Sequence, residues 1–351
     1  MSEFGDSTIL VGDNAQGKTN ILEAVFLAAT GASFRMSREE FVIKEGAKNA
    51  HIFAEIMSED GTVHVLRVVW QESERGFNKI IQIDGNNSSR MGLMKTFPAV
   101  IFSPEDIDLI RLSPSHRRRF LDLLIGRHDA GYRSDLLEFT RVRRQRNQLL
   151  LLVKQRRVSE EELDIWDEKM ANVGASIVTK RVEAIKAIQE DVAKKYALLA
   201  EHHNGNILRI QYEPSVGTMM ERDYLNELKK NRLLDIARAT TTVGIHRDDL
   251  TFFLNGQDVR YTASRGEFRS VVLALKLAEG KYLKSKLEEA PVFLLDDGFS
   301  ELDDGRKKAL AIEVRDYQVL VTTNNKYLSQ LFDGAKEHEV KEGKIETVQK
   351  A

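Results

Sequence analysis

The stretch Gly12-Asp13-Asn14-Ala15-Gln16-Gly17-Lys18-Thr19 restricts this chain more than any other. It is a complete GxxxxGK[ST] sequence. It stands between a short apolar run, Thr8–Val11, and a helical pattern, Thr19–Ala29, with Ile21, Leu22, Val25 and Ala28 on one side. A strand, a glycine-containing turn and a helix in that order make a cradle for phosphate. The glycines let backbone N–H groups turn inward, and the helix N-terminus adds its positive end. In such a cradle Lys18 neutralises β- and γ-phosphates and the Thr19 hydroxyl ligates Mg²⁺, with Asn20 continuing the loop into the helix. ATP and Mg²⁺ are the expected ligands.

A second element completes the cradle far away. Val292-Phe293-Leu294-Leu295 is a continuous apolar run, as a strand buried on both faces should be, and it ends in Asp296-Asp297. Asp296 is placed to hold Mg²⁺ and Asp297 to orient or deprotonate water. An apolar strand ending in two aspartates is weak evidence alone; behind a phosphate loop it is strong. The two elements are 284 positions apart, from Gly12 to Asp296, too far for a small-molecule kinase or a compact GTPase. A helix over Asp304–Val314 and a strand over Val319–Thr322 complete a βαβ unit.

The intervening chain changes texture. To about residue 104 it reads as mixed α and β, with strands at Ile52–Met57, Val63–Trp70 and Lys79–Ile83. Turn sequences separate these runs, so an antiparallel subsheet is expected beside the first strand. Long helices follow, over Tyr132–Lys154 and from about Glu160 to Glu201. In the latter, Trp166, Met170, Val173 and Ile177, then Val178, Val182, Ile185, Ile188, Val192, Tyr196 and Leu199, form a near-heptad seam. The fold class is therefore α/β: an ATPase head with an antiparallel β subdomain, written in residues 1–105 and 243–351, and an inserted helical arm, 106–242.

Bulk composition excludes several classes. The 351 residues include no cysteine, which rules out disulfides and thiolate metal sites. There is no apolar stretch of membrane-spanning length and no secretory pattern at the start, so a cytoplasmic protein with no membrane partner is expected. Net charge is −2, yet Arg111–Arg157 holds 13 Lys or Arg against 4 Asp or Glu. Arg117, Arg118 and Arg119 open one helix; Arg141, Arg143, Arg144 and Arg146 cluster on the next. Acidic residues four positions away are mostly lacking. DNA phosphate contact is favoured over a solvated helix face, with anchoring of the arm a further option.

Thr262-Ala263-Ser264-Arg265-Gly266-Glu267, before the apolar helix Val271–Ala278, has the Ser-x-Gly-[Gln/Glu] form of the ABC signature. Alone it is no better than a helix N-cap. Ser300-Glu301-Leu302-Asp303 then matches the D-loop, and the four motifs fall in the ABC order. Phe102-Ser103-Pro104-Glu105-Asp106, Ser113-Pro114-Ser115-His116-Arg117-Arg118-Arg119-Phe120-Leu121-Asp122, Arg146-Asn147-Gln148-Leu149-Leu150 and Gly244-Ile245-His246-Arg247-Asp248-Asp249-Leu250 add to them. With these motifs the chain resembles the RecF branch of the SMC-like ATPases, over essentially its whole length.

The resemblance implies an ATP-dependent homodimer in which Ser264, Gly266 and Glu267 of one copy, with Asp303, address the γ-phosphate held by the other. It implies weak ATPase activity, binding to gapped duplex and single/double-strand junctions, and work with RecO and RecR in loading recombinase. Three departures stand out. Ala15 replaces a usual glycine, Asp297 replaces the longer glutamate of many ABC proteins, which points to slow turnover, and the family's members begin earlier, with a strand and an Arg-containing loop that contribute base and ribose contacts. His246 with Asp248 and Asp249 suggests a metal site, but the alternation of Leu250, Phe252 and Leu254 favours a structural turn. Two other readings stay open: a transporter motor, disfavoured by the arm and its basic segment, and a nucleotide-binding scaffold that does not hydrolyse.

Overall fold

The helix that follows the phosphate loop, Lys18–Thr30, is apolar on more than one side, and the computed structural model explains why. Leu22, Phe26 and Ala29 pack on Ala99, Ile101, Val292, Leu294 and Leu320 of one sheet. Leu27, on another side, joins Leu66, Val68, Trp70 and Ile81 of a second sheet. A helix buried between two sheets needs apolar residues almost all round. The structure describes residues 4–35, 39–73, 76–200, 207–217, 220–299, 302–325 and 327–347.

Chain contacts divide the protein into two compact units. The first comprises Met1–Asp106, Lys194–Gly205 and Arg269–Ala351. Its main sheet runs, in spatial order, Lys344–Thr347, Lys336–Lys341, Ser7–Val11, Val319–Thr323, Val292–Asp296, Ala99–Phe102. All neighbours are parallel except the last hairpin, Lys336–Lys341 with Lys344–Thr347. The antiparallel strands Asn49–Met57, Val63–Ser73, Gly76–Ile83 and Asn86–Asn87 form their own sheet. The expected place beside the first strand is thus corrected: the helix Lys18–Thr30 lies between, and Ser7–Val11 pairs with Val319–Thr323 and Lys336–Lys341.

The second unit comprises Ile107–Ala193 and Asn206–Phe268. Its helices include Pro114–Gly126, Ala130–Lys154 and most of Asp164–Leu199. The seam of the last is buried at Met170, Ile177, Val178, Ile185, Ile188 and Val192. Residues 243–268, expected with the ATPase head, fall here instead. The reason is strand pairing: Asp249–Leu254 runs antiparallel to Leu208–Glu213, with Tyr212 opposite Leu250. Among the described residues no helix is long and apolar enough to cross a membrane.

Arginines hold this second unit together from inside. Arg146 has no exposed surface. Its Nε donates to Asp167 at 2.6 Å and its Nη1 to Asp235 at 2.7 Å and Thr241 at 2.9 Å. Arg117, also buried, grips Asp249 through two parallel bonds of 2.7 and 2.9 Å. Arg181 interrupts the helical seam and bonds Asp122 at 2.8 Å, Asp248 at 3.1 Å and the Ile245 carbonyl at 3.0 Å. Two of the seven arginines assigned to DNA, Arg117 and Arg146, are therefore corrected: their guanidinium groups face internal carboxylates. Removing one partner of such a pair leaves a buried charge uncompensated, which costs about 3–5 kcal/mol. Arg146→Ala should lower the unfolding free energy by about that amount in a denaturant titration. Arg141→Ala, on the same helix but 70% exposed, should change it by less than about 0.5 kcal/mol.

Candidate nucleotide site

The site is assembled where four parallel strands end. The phosphate loop leaves Ser7–Val11, and Gly12 N–H donates to the Thr323 carbonyl at 3.3 Å. A Cβ on Gly12 would lie 2.6 Å from the Val340 carbonyl oxygen, so only glycine fits. Gly17 has φ 93° and caps the helix that begins at Lys18. Lys18 is buried, and its ammonium donates to the Gly12 and Asp13 carbonyls at 2.7 and 2.8 Å. The far side of the loop is braced by the final hairpin: Gly343 N–H donates to the Gln16 carbonyl and Glu342 N–H to its side chain, both at 2.8 Å. Asn20 accepts from Arg35 at 3.0 Å.

The acidic strand meets the loop through hydroxyls. Asp296 Oδ1 accepts from Thr19 at 2.9 Å and from Thr322 at 2.8 Å. Thr322 also accepts from Asp297 N–H at 2.9 Å, so one hydroxyl orients both aspartates. It stands directly opposite Asp296 in the sheet register. Burial raises the Asp296 carboxyl above its ordinary range; the two threonine bonds oppose this, and Asp297 and Glu105 add to it. Glu105 follows the neighbouring strand Ala99–Phe102, and next to it Asp106 accepts from Ser103 N–H at 2.7 Å and pairs with Lys276 at 3.1 Å.

These donors suit Mg²⁺ with a nucleotide. A hydroxyl and a buried carboxylate whose charge is disfavoured by two neighbouring acids offer hard oxygens to a cation. No cluster of three or more His, Cys, Asp or Glu among the described residues could hold a metal unaided. Mg²⁺ bound by one or two side chains and completed by phosphate oxygens fits that set. Thr322 and Glu105 were not among the residues expected from sequence. The signal for the first was its place at the end of an apolar strand, one position beyond Val321.

Ser264 and Glu267 form a reciprocal capping box in the second unit. Ser264 N–H donates to the Glu267 carboxylate at 2.8 Å, and Glu267 N–H to the Ser264 hydroxyl at 3.3 Å. They open the helix Arg265–Leu287, with Gly266 in its first turn. Asp303 caps the helix Asp304–Val314 and pairs with Arg306 at 2.5 Å. Ser300 and Glu301 lie outside the described residues.

Of the remaining basic candidates, Arg119, Arg141 and Arg144 are exposed and Arg118 and Arg143 half-buried. Arg118 donates to the Asp248 carbonyl at 2.6 Å. The acids near His246 are occupied: Asp248 accepts from Arg181, Tyr212 and Ser215 N–H, and Asp249 from Arg117. That turn is structural.

Sheet, loop and acidic strand together define a P-loop ATPase head of the SMC type. Residues 2–346 match the family of RecF/RecN/SMC N-terminal domains. The DNA replication and repair protein RecF of Acetivibrio thermocellus is 36% identical over 91% of this chain and 87% of its own length. That of Lachnoclostridium phytofermentans is 38% identical over the same shares. The solved recombination mediator protein RecF-ATPrS of the RecFOR pathway superposes with a TM-score of 0.86 and 33% identity, covering 99% of this chain and 94% of that one. An Smc head domain from Pyrococcus furiosus, 16% identical with a TM-score of 0.52, shares the fold alone. The chain belongs to the RecF branch of the RecF/RecN/SMC family.

Two tests follow from the geometry. Ala15 has φ 64°, a left-handed conformation that its Cβ disfavours by about 1 kcal/mol or more. Ala15→Gly should stabilise the nucleotide-free protein by up to about 1 kcal/mol in thermal unfolding. Asp296 gives a pH signature. Because folding raises its pKa, its contribution is favourable below roughly pH 4 and is lost as pH rises through the elevated value. Asp296→Asn carries no charge at either pH. It should therefore melt above the parent at pH 7.5 without nucleotide, and the gap should close below roughly pH 4.

Proposed function

We propose that this chain is an ATP-switched DNA-binding protein of recombinational gap repair. ATP binding drives two copies together head to head on DNA, slow hydrolysis separates them, and the cycle serves recombinase loading with RecO and RecR. One observation carries the reading: the Thr19 hydroxyl and the Asp296 carboxylate, from opposite ends of the chain, meet at 2.9 Å beside the phosphate loop. The relatives' names, and the RecF-ATPrS neighbour, support the role in repair and the choice of nucleotide.

Each residue has a task in this scheme. Lys18 compensates phosphate charge, and the loop from Gly12 through Thr19 offers its N–H groups. Thr19 and Asp296 would hold Mg²⁺, which supplies charge neutralisation as the phosphoryl group transfers. Asp297 orients the attacking water and accepts its proton. Ser264, Gly266 and the N-terminus of their helix serve the nucleotide of the second copy, for which the Ser264 hydroxyl exchanges its cap for phosphate. Arg118, Arg119, Arg141, Arg143 and Arg144 are the candidate DNA contacts.

The decisive measurement is sedimentation with and without ATP and gapped duplex. The parent should shift from monomer to dimer with ATP, and Lys18→Met should stay monomeric and lose nucleotide affinity by calorimetry. Ser264→Arg should bind nucleotide as a monomer yet form no ATP-dependent dimer. Asp297→Asn should dimerise but release no phosphate. A parent that remains monomeric at saturating ATP would overturn the proposal, and normal hydrolysis by Asp297→Asn would move the base elsewhere.

A further inference from the structure

Arg247 was not counted among the basic residues facing DNA, yet the turn that carries it packs on the helix of Arg143: the ring of His246, the residue before it, lies against Phe139, one helical turn ahead of Arg143. Arg143 lies half-buried on the helix Ala130–Lys154, three positions before Arg146. Among the described residues neither Arg143, Arg144 nor Arg247 has a carboxylate in ion-pair range. Burial and then the charge of Arg247 lower the Arg143 pKa, with no acid opposing them.

The backbones that carry the two arginines are both clamped, while the Arg247 side chain itself is exposed. Arg146 fastens the helix to Asp167 and Asp235. The turn that carries Arg247 is tied at three points. Gly244 exchanges bonds of 2.7 and 2.9 Å with the Ser215 hydroxyl, Ile245 N–H reaches Tyr224 at 3.2 Å, and the Ile245 carbonyl accepts from Arg181 at 3.0 Å. His246, packed on Phe139 with ring centroids 6.0 Å apart, brings no negative charge. Its Nε2–H donates to the Thr241 carbonyl at 3.1 Å, and its buried Nδ1 has no hydrogen-bond partner. Beside Arg143, an open groove of about 360 Å³ is lined by Arg144, Asn147 and Gln148 among others. Asn147 accepts from Thr241 through its oxygen, which turns its amide donors to other use.

We propose that Arg143 and Arg247 together form a binding site for a DNA backbone phosphate, with Arg144 and the Asn147 and Gln148 amides in the groove as the adjoining contacts. Two guanidinium groups carried on clamped backbones, with no acid in reach, leave like charges side by side that an anion between them would compensate, and their forked donors match phosphate oxygens. The inference rests on the DNA-binding reading above and refines it: the surface is built from two separate chain segments, and the buried Arg117 and Arg146 serve only to position it.

The test uses the full chain with ATP and gapped duplex in phosphate-free buffer, titrated between 50 and 200 mM salt. The double variant Arg143→Gln/Arg247→Gln should show a salt-dependence slope shallower by roughly 0.9 to 1.8, one or two phosphates. Its affinity should thus fall about 3- to 12-fold less than the parent's across that range. Arg315→Gln, an exposed charge in the first unit, should match the parent. Without DNA the double variant should melt at or above the parent, because a repulsion has been removed. A double variant with the parent's slope overturns the site while the DNA-binding reading stands. One that melts well below the parent makes the pair structural and overturns it too. A parent that binds no gapped duplex at all sinks both.

Discussion

The first strand, Ser7–Val11, finds no partner near it in the chain. Both of its neighbours, Val319–Thr323 and Lys336–Lys341, come from the far end, and the nucleotide site depends on that pairing. It brings Thr322 under Asp296, Thr323 under Gly12 and Val340 against the loop. Everything between the two ends is an excursion that has to return to register. Parallel pairing permits such distance because the entropy of closing a loop grows only slowly with its length. The apolar strands supply the gain: Ile9, Leu10, Leu294, Leu295, Leu320 and Val321 are all essentially unexposed.

The second unit relies on a different device. Its interior contains Arg117, Arg146 and Arg181, each facing carboxylates from distant positions in the chain. Such pairs add little net stability over a well-packed apolar core, but losing one partner is costly, so each ties the helix to a set place. Asp167, for example, accepts from Arg146 on one oxygen and from Arg232 on the other, at 2.6 and 2.5 Å. A helix mounted this way holds its outward residues in fixed directions. The same residue type is therefore used twice, once as an internal fastener and once as a surface charge.

Much of this was legible in the sequence, and the boundary between legible and hidden is physical. The phosphate loop, its helix, the acidic strand and Asp304–Val314 are local patterns, and they stand where expected within a residue or two. The seam of Asp164–Leu199 is likewise periodic. What stayed hidden depends on partners remote in sequence. The arginine-rich segment lacks acids four positions away, but Asp167, Asp235 and Asp249 arrive from elsewhere, so Arg117 and Arg146 looked free when they are not. The hairpin Lys336–Thr347 is too polar to announce a strand in the main sheet, although it braces Gln16. The Ser264 segment is a capping box by geometry, with Ser264 and Glu267 bonding each other's backbone N–H groups.

The sheet order also sets a schedule for biosynthesis. A ribosome adds roughly 5–20 residues each second, so on the order of tens of seconds separate the first strand from the strands that flank it. During that interval the apolar helix Lys18–Thr30 cannot dock on its parallel sheet. The antiparallel strands from Asn49 to Asn87 emerge early, however, and offer Leu66, Val68 and Trp70 to Leu27. They give the nascent helix apolar contacts on one side while Val292, Leu294 and Leu320, its partners on the other, are still untranslated.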